Sequence, residues 1–394
     1  MCPPDSGGGP VSTPVVLESR PDGVPDGAAA AAVLAADLPA LRARVDRATA
    51  ADVERALRNP RPTLEDLAVL LSAPAADRLE DLAAAAHRIT LRRFGRAVRL
   101  FAPLYLSNEC VSTCTYCGFS AGNDIVRRTL SPEEIRAEAD ELVARGFRHL
   151  LLVAGEHARI VSKDYLVECV RAIEPVVPEI SIEVQVWEEG TYRRLVEAGC
   201  DGVIVYQETY DRGTYGQVHL KGKKRNYDWR LAAPDRAAAA GMRRLGIGAL
   251  LGLHDDWRSE ALLLGAHARG LMRRWWRCEV AVALPRLRPA AGGYEPADPV
   301  DDPAFVQLLC ALRITMPDVG ITLSTREPAS LRDALVPLGI TTMSAGSHTE
   351  PGGYAEPSDA EPQFAISDER SPAEVAAALR AAGYDPVWKD WQRA

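Results

Sequence analysis

The stretch Leu100-Phe101-Ala102-Pro103-Leu104-Tyr105-Leu106-Ser107-Asn108-Glu109-Cys110-Val111-Ser112-Thr113-Cys114-Thr115-Tyr116-Cys117 sets an apolar run, Leu100 to Leu106, directly before three cysteines at a three-then-two spacing. The run predicts a buried β-strand, and the thiols must sit on the loop at its end. Three thiolates on one short loop can hold three irons of a cubane [4Fe–4S] cluster and leave the fourth iron without a protein ligand. An open iron is a place for a small molecule to bind. A structural zinc loop and a set of buried thiols are the alternatives. Structural zinc normally takes four protein ligands, usually as two separated pairs. The other cysteines, Cys2, Cys169, Cys200, Cys278 and Cys310, are scattered singly.

Downstream, short β-type runs alternate with longer helical ones. The runs are Val98 to Leu106, His149 to Val153, Ile180 to Val186, Gly202 to Tyr206, Leu245 to Gly252, Glu279 to Leu284, Gly320 to Ser324 and Ile340 to Ser344. Eight strands alternating with helices predict an α/β fold of parallel βα units, and eight is the number that closes a (β/α)8 barrel. Such a barrel carries its chemistry on the loops leaving the C-terminal ends of its strands. Polar residues gather at those places: the cysteine loop, Gly155-Glu156-His157, Glu183 with Gln185, Gln207-Glu208, His254-Asp255-Asp256, Arg286 with Arg288, Arg326-Glu327 and Ser347-His348. Packing alone does not explain a polar rim on an apolar barrel, so the pattern predicts an enzyme.

Before the barrel, residues 1–36 are rich in Gly, Pro and Ala without sustained periodicity, and predict a disordered or weakly ordered extension. Residues 37–96 read as a helical region and 97–350 as the barrel, with 351–394 as a C-terminal segment packing on it. The chain of 394 residues carries a formal charge of −8, which argues against general nucleic-acid binding. No apolar run approaches the ~20 residues that span a bilayer, and no export signal is apparent, so a cytoplasmic enzyme with reduced thiols is expected. The run Lys221-Gly222-Lys223-Lys224-Arg225 reads as a solvated loop.

Individual rim residues carry definite chemistry. Gly155 lets backbone approach closely, and Glu156 can accept hydrogen bonds from an ammonium group. Glu208 can accept hydrogen bonds from hydroxyl or ammonium groups, and Tyr116 offers ring surface. Arg326 suits a substrate carboxylate, since a guanidinium grips carboxylates bidentately. Its alternative is an ion pair with Glu327. Ser344 can add a hydroxyl bond to the same carboxylate, and Arg286 or Arg288 can bind substrate or cofactor.

The Cx3CxφC pattern with Tyr116 before the last cysteine resembles the signature of the radical S-adenosylmethionine enzymes. Longer matches run from about Ala51 to Trp391: Pro103 to Asn108, Cys114 to Ser120, Val205 to Tyr210, His219 to Lys224, Pro285 to Pro289, Ser324 to Glu327 and Val387 to Trp391. Together they are similar to the ThiH family of 2-iminoacetate synthases. The resemblance implies a (β/α)8 barrel with N- and C-terminal helical additions, a [4Fe–4S] cluster on Cys110, Cys114 and Cys117, and S-adenosylmethionine bound by Tyr116, Gly155, Glu156, Gln185 and Glu208. Arg326 and Ser344 would hold the substrate carboxylate. The implied reaction begins when a 5′-deoxyadenosyl radical takes hydrogen from the amino group of L-tyrosine. Cleavage of Cα–Cβ then yields 2-iminoacetate and p-cresol, with 5′-deoxyadenosine and methionine as co-products, for the thiazole of thiamine. Implied partners are the thiazole synthase ThiG and an electron donor such as flavodoxin or ferredoxin. Related tryptophan lyases share the Arg and Ser positions and are the alternative reading. Hydrogenase-maturation lyases of the HydG type carry a second cluster on C-terminal cysteines, whereas no cysteine follows Cys310 here. A non-catalytic scaffold would need none of the three cysteines or Glu156.

Overall fold

The computed structural model describes residues 28–296 and 299–389. The run before the cysteines forms β1, Ala97–Ser107, which is buried along almost its whole length. It is followed by β2 (His149–Ala154), β3 (Glu179–Glu183), β4 (Gly202–Glu208), β5 (Arg244–Ala249), β6 (Glu279–Ala283), β7 (Gly320–Leu323) and β8 (Thr342–Ser344). Each strand pairs in parallel with the next, and β1 pairs with both β2 and β8, so the sheet closes on itself as a (β/α)8 barrel. Short runs of Val, Ile, Leu and Ala suit strands buried on both faces. Helices return the chain between strands. Pro132–Ala144 shows how the sequence starts one: Ser131 and Glu134 form a reciprocal capping box, with proline in the first turn.

Strand ends differ from the sequence reading by two residues or more in four places. β3 stops at Glu183 instead of Val186, β4 at Glu208 instead of Tyr206, β5 at Ala249 instead of Gly252, and β8 begins at Thr342 instead of Ile340. Beyond Glu183 the chain turns away, and the Trp187 N–H donates to the Tyr192 hydroxyl at 3.2 Å.

Helices Leu38–Arg47, Ala50–Arg58, Leu64–Leu70 and Leu79–Phe94 form a layer before the barrel, two of them opened by capping boxes at Thr49/Asp52 and Thr63/Asp66. The extension read as weakly ordered through residue 36 is corrected for its last part. Ala28, Ala29 and Ala30 are buried, and the Ala29 and Ala30 N–H groups donate to the Asp235 carboxylate at 2.8 and 3.1 Å. Small side chains make this possible, since a Cβ added at Gly270 would come within 2.6 Å of the Ala29 carbonyl oxygen. Residues 1–27 lie outside the described residues.

After β8 the chain crosses the barrel mouth, forms helix Pro372–Ala381 and ends its described course near β9 (Asp385–Val387), which pairs in parallel with the first residues of β1. The opposite end of the barrel is closed by charged side chains. Arg244 pairs with Glu179 at 2.8 Å and Glu279 at 3.3 Å, while Arg99 also holds Glu279. Among the described residues, no helix is long and apolar enough to cross a membrane.

Candidate active site

The cysteine loop leaves β1 at the C-terminal rim and is fastened from three sides. The Val111 N–H donates to the Glu156 carbonyl at 2.9 Å, Thr115 to Val218 at 3.0 Å, and Gly118 to Gln363 at 3.1 Å. Two glycines let backbones meet there. A Cβ at Gly155 would lie 2.4 Å from the Glu109 carbonyl oxygen, and one at Gly222, which has φ +90°, would lie 2.2 Å from Ser112 Oγ. Gln363 also accepts from the Tyr105 hydroxyl at 2.8 Å and directs its amide at Cys117 Sγ at 3.8 Å.

All three thiols are free. Burial pushes the Cys114 thiol up to about 12, with the Lys224 cation opposing, and raises Cys110 and Cys117 as well. Ligation to iron must therefore displace protons, and the neighbouring cation favours the thiolates. Among the described residues, no three His, Cys, Asp or Glu side chains converge as a single ion would require. A cubane offers each thiolate its own corner, and the loop's three-thiol donor set fits that group.

Beside the loop lies a chain of alternating charges. Glu156 receives the Arg230 guanidinium at 3.1 Å and the Ser112 hydroxyl at 3.3 Å; Arg230 reaches Glu208 at 3.7 Å, and Glu208 receives Lys224 at 2.7 Å. Arg230 also donates to the Tyr206 carbonyl at 2.7 Å. Burial alone would raise the Glu208 carboxyl, but Lys224 and Arg230 outweigh it and hold the group below the usual range. Glu208 sits where the β4–β5 register shifts and has φ +71°, the one positive φ of a non-glycine among the described residues. Such backbone costs about 1–3 kcal/mol and is typical of functional sites. Tyr116 donates to or accepts from His219 Nε2 at 2.9 Å, and burial, then Lys224, pushes the His219 ring down to about 3.

A cavity runs from this loop into the barrel, and Tyr116, Cys117, Glu208, Lys224, Arg326 and Ser344 are among its walls. The Arg326 guanidinium is stacked 3.4 Å above the Phe364 ring and has no acidic partner among the described residues. The alternative ion pair with Glu327 does not form, because Glu327 is taken by Arg286, which also binds Asp302. Arg286 is therefore a structural cation, and Arg288 bonds the Ser367 hydroxyl. Ser344 Oγ accepts the Thr325 N–H at 3.1 Å. Cys110, Cys114, Gly155 and Glu156 are not among the residues that line this cavity. Gln185 is not brought to the cavity, and its amide donates to the Val161 carbonyl at 2.9 Å.

Three functional side chains escaped the sequence reading. Lys224 is a half-buried partner of Glu208, a correction to the solvated-loop expectation, although its neighbours Lys221, Lys223 and Arg225 are exposed. Arg230 had no motif of its own, but a lone arginine beside apolar and aromatic neighbours was a signal. Glu183, noted only as a rim residue, lines the cavity.

Comparison with known proteins agrees with this geometry. Residues 104–264 match the Radical SAM superfamily, and residues 283–385 match the Biotin and Thiamin Synthesis associated domain. The 2-iminoacetate synthase of Escherichia coli (strain K12) is 46% identical over 351 residues, 89% of this chain and 93% of that protein. That of Salmonella typhimurium (strain LT2) is equally similar, at 46% over the same length. The structure of the FeFe-hydrogenase maturase HydG from Carboxydothermus hydrogenoformans superimposes with a TM-score of 0.83 at 32% identity, covering 92% of this chain and 85% of that one. On identity, coverage and the cysteine loop together, the chain belongs to the 2-iminoacetate synthase family of radical SAM enzymes.

Proposed function

We propose that this protein is a radical SAM tyrosine lyase, cleaving the Cα–Cβ bond of L-tyrosine to 2-iminoacetate and p-cresol, with 5′-deoxyadenosine and methionine as co-products, for the thiazole moiety of thiamine. The observation that carries this reading is the cavity that joins the cysteine loop to a half-buried guanidinium without an acidic partner among the described residues, in a chain of this family. When bound, the [4Fe–4S] cluster and S-adenosylmethionine supply a 5′-deoxyadenosyl radical. Cys110, Cys114 and Cys117 hold the cluster. Glu156 and Glu208, oriented by Arg230 and Lys224, receive the cationic and hydroxyl groups of S-adenosylmethionine, while Gly155 lets the backbone close on the loop and Tyr116 supplies ring surface. Gln185 acts at one remove, by fixing the Val161 carbonyl behind this wall.

Arg326 takes the tyrosine carboxylate, supported by Ser344, whose hydroxyl is already fixed by the Thr325 N–H. Phe364 keeps the guanidinium flat and pointed into the cavity through a cation–π contact. Apolar walls at Phe101, Leu151 and Val153 keep water out of the cavity. The protein works in the cytoplasm, receives its electron from flavodoxin or ferredoxin, and passes 2-iminoacetate to the thiazole synthase ThiG.

The test is anaerobic incubation of reconstituted protein with S-adenosylmethionine, a reductant and either tyrosine or tryptophan, followed by chromatography. p-Cresol with 5′-deoxyadenosine from tyrosine is the expected result. An indole product from tryptophan without p-cresol would refute it, and Cys114→Ala should abolish both cluster absorbance and products.

A further inference from the structure

Charged groups around the cavity are nearly all matched. Glu208 has Lys224 and Arg230, and Glu327 has Arg286. Two remain without a hydrogen-bond or ion-pair partner among the described side chains: the Arg326 guanidinium and the Glu183 carboxyl, both on the cavity wall. Glu183 ends β3, and Arg326 follows β7. These strands are four apart in a ring of eight, so the two groups face each other across the barrel. Glu183 is half-buried and stands level with Val153 of β2 in the strand register. Burial, reinforced by Glu208 and opposed by Arg326, raises its carboxyl to about 7. A carboxyl on a cavity wall with no protein partner is free to bond a group that enters the cavity.

This inference rests on the tyrosine lyase reading. Tyrosine carries its carboxylate and ammonium on one carbon and its hydroxyl at the far end of a rigid ring. With the carboxylate on Arg326, the ammonium stays near that wall, and the ring end points toward the opposite one. The Tyr105 hydroxyl on β1 is committed to Gln363. We propose that Glu183 accepts the phenolic O–H of the substrate and so is the residue that selects tyrosine by its hydroxyl. A site built to bond a hydroxyl rejects the analogue without it far more strongly than an apolar pocket does.

The test uses protein carrying its cluster and S-adenosylmethionine, with L-tyrosine and L-phenylalanine binding measured by anaerobic calorimetry in wild type, Glu183→Ala and Glu183→Gln. A hydrogen bond to an ionised acceptor contributes about 1.5–3 kcal/mol, or roughly 10- to 150-fold in affinity. Glu183→Ala should lose roughly that factor for tyrosine and change phenylalanine by less than about threefold. Glu183→Gln keeps the volume and an acceptor oxygen, so it should recover part of the tyrosine preference while still falling short of wild type. Equal loss for both amino acids would overturn the proposal and move Glu183 to the shared amino-acid end or to a purely structural role. An unchanged tyrosine-to-phenylalanine ratio in either variant would overturn it too, and the Gln variant decides the matter if the Ala variant fails to fold. Wild type that makes no p-cresol from tyrosine sinks the lyase reading; wild type that does, with variants keeping the ratio, sinks only the role of Glu183.

Discussion

Replacing Arg230 by methionine probes the charge chain beside the cysteine loop. The arginine lies on helix Tyr227–Leu231 with its side chain 7% exposed, and methionine keeps an unbranched apolar stem without the charge. The change leaves Glu156 with only the Ser112 hydroxyl and Glu208 with only Lys224, and strips a donor from the Tyr206 carbonyl. Removing one partner of a buried ion pair typically costs about 3–5 kcal/mol, because the other charge stays behind unpaired. With unfolding entropy near 2.1 cal/mol/K per residue, a chain of 394 residues should melt about 4–6 °C lower. Calorimetry of the cluster-free protein in reducing buffer reads this directly. Glu156→Gln alone and the double variant complete a cycle, in which the double variant should be less destabilised than the sum of the singles. Single changes that add within about 0.5 kcal/mol, or an Arg230→Met melting point within about 1 °C of wild type, would refute the coupling.

Further outcomes follow from the same geometry. Gly155→Ala puts a methyl group 2.4 Å from the Glu109 carbonyl, so the cysteine loop must shift; about 1–3 kcal/mol of stability and much of the cluster content in an iron assay should be lost. His219 is held neutral down to about 3, against about 6.5 when unfolded, so its contribution to stability is complete above pH ~6.5 and is lost as pH falls below that. Urea melts from pH 8 to 5 should accordingly show the advantage of wild type over His219→Gln shrinking by about 1.4 kcal/mol per pH unit below that point. Glu183 has the opposite sign. Its carboxyl is raised from 4.5 to about 7, so folding binds an extra proton between those values, and Glu183→Gln should gain stability relative to wild type as pH rises through that window.

The barrel was legible because its strands are short, apolar and buried on both faces, and each ends in a visible change to polar residues. Placement of Arg326 and Ser344 in one cavity followed from that, since both lie at the end of neighbouring strands. Gln185 was misplaced because the apolar pattern continues through Val186 while the backbone leaves the sheet after Glu183. Lys224 was lost in a basic run, where only packing against Glu208 separates it from its solvated neighbours. Arg230 belongs to a helix of five residues, too short for any periodicity to mark an inward face. Ala28 to Ala36 offered no pattern either, because close approach of small side chains, not amphipathic spacing, docks that segment.

Gln363 gives the molecule a timetable. It lies 246 positions after Cys117, whose sulfur its amide faces, and its carbonyl receives the Gly118 N–H. At about 5–20 residues per second a ribosome takes roughly 12–50 s to travel that distance. Throughout that interval the three thiols have been made but lack their seal. Until then the loop has only its ties to Glu156 and Val218, and a message cut short before Gln363 yields every cysteine on a loop that lacks its third tie.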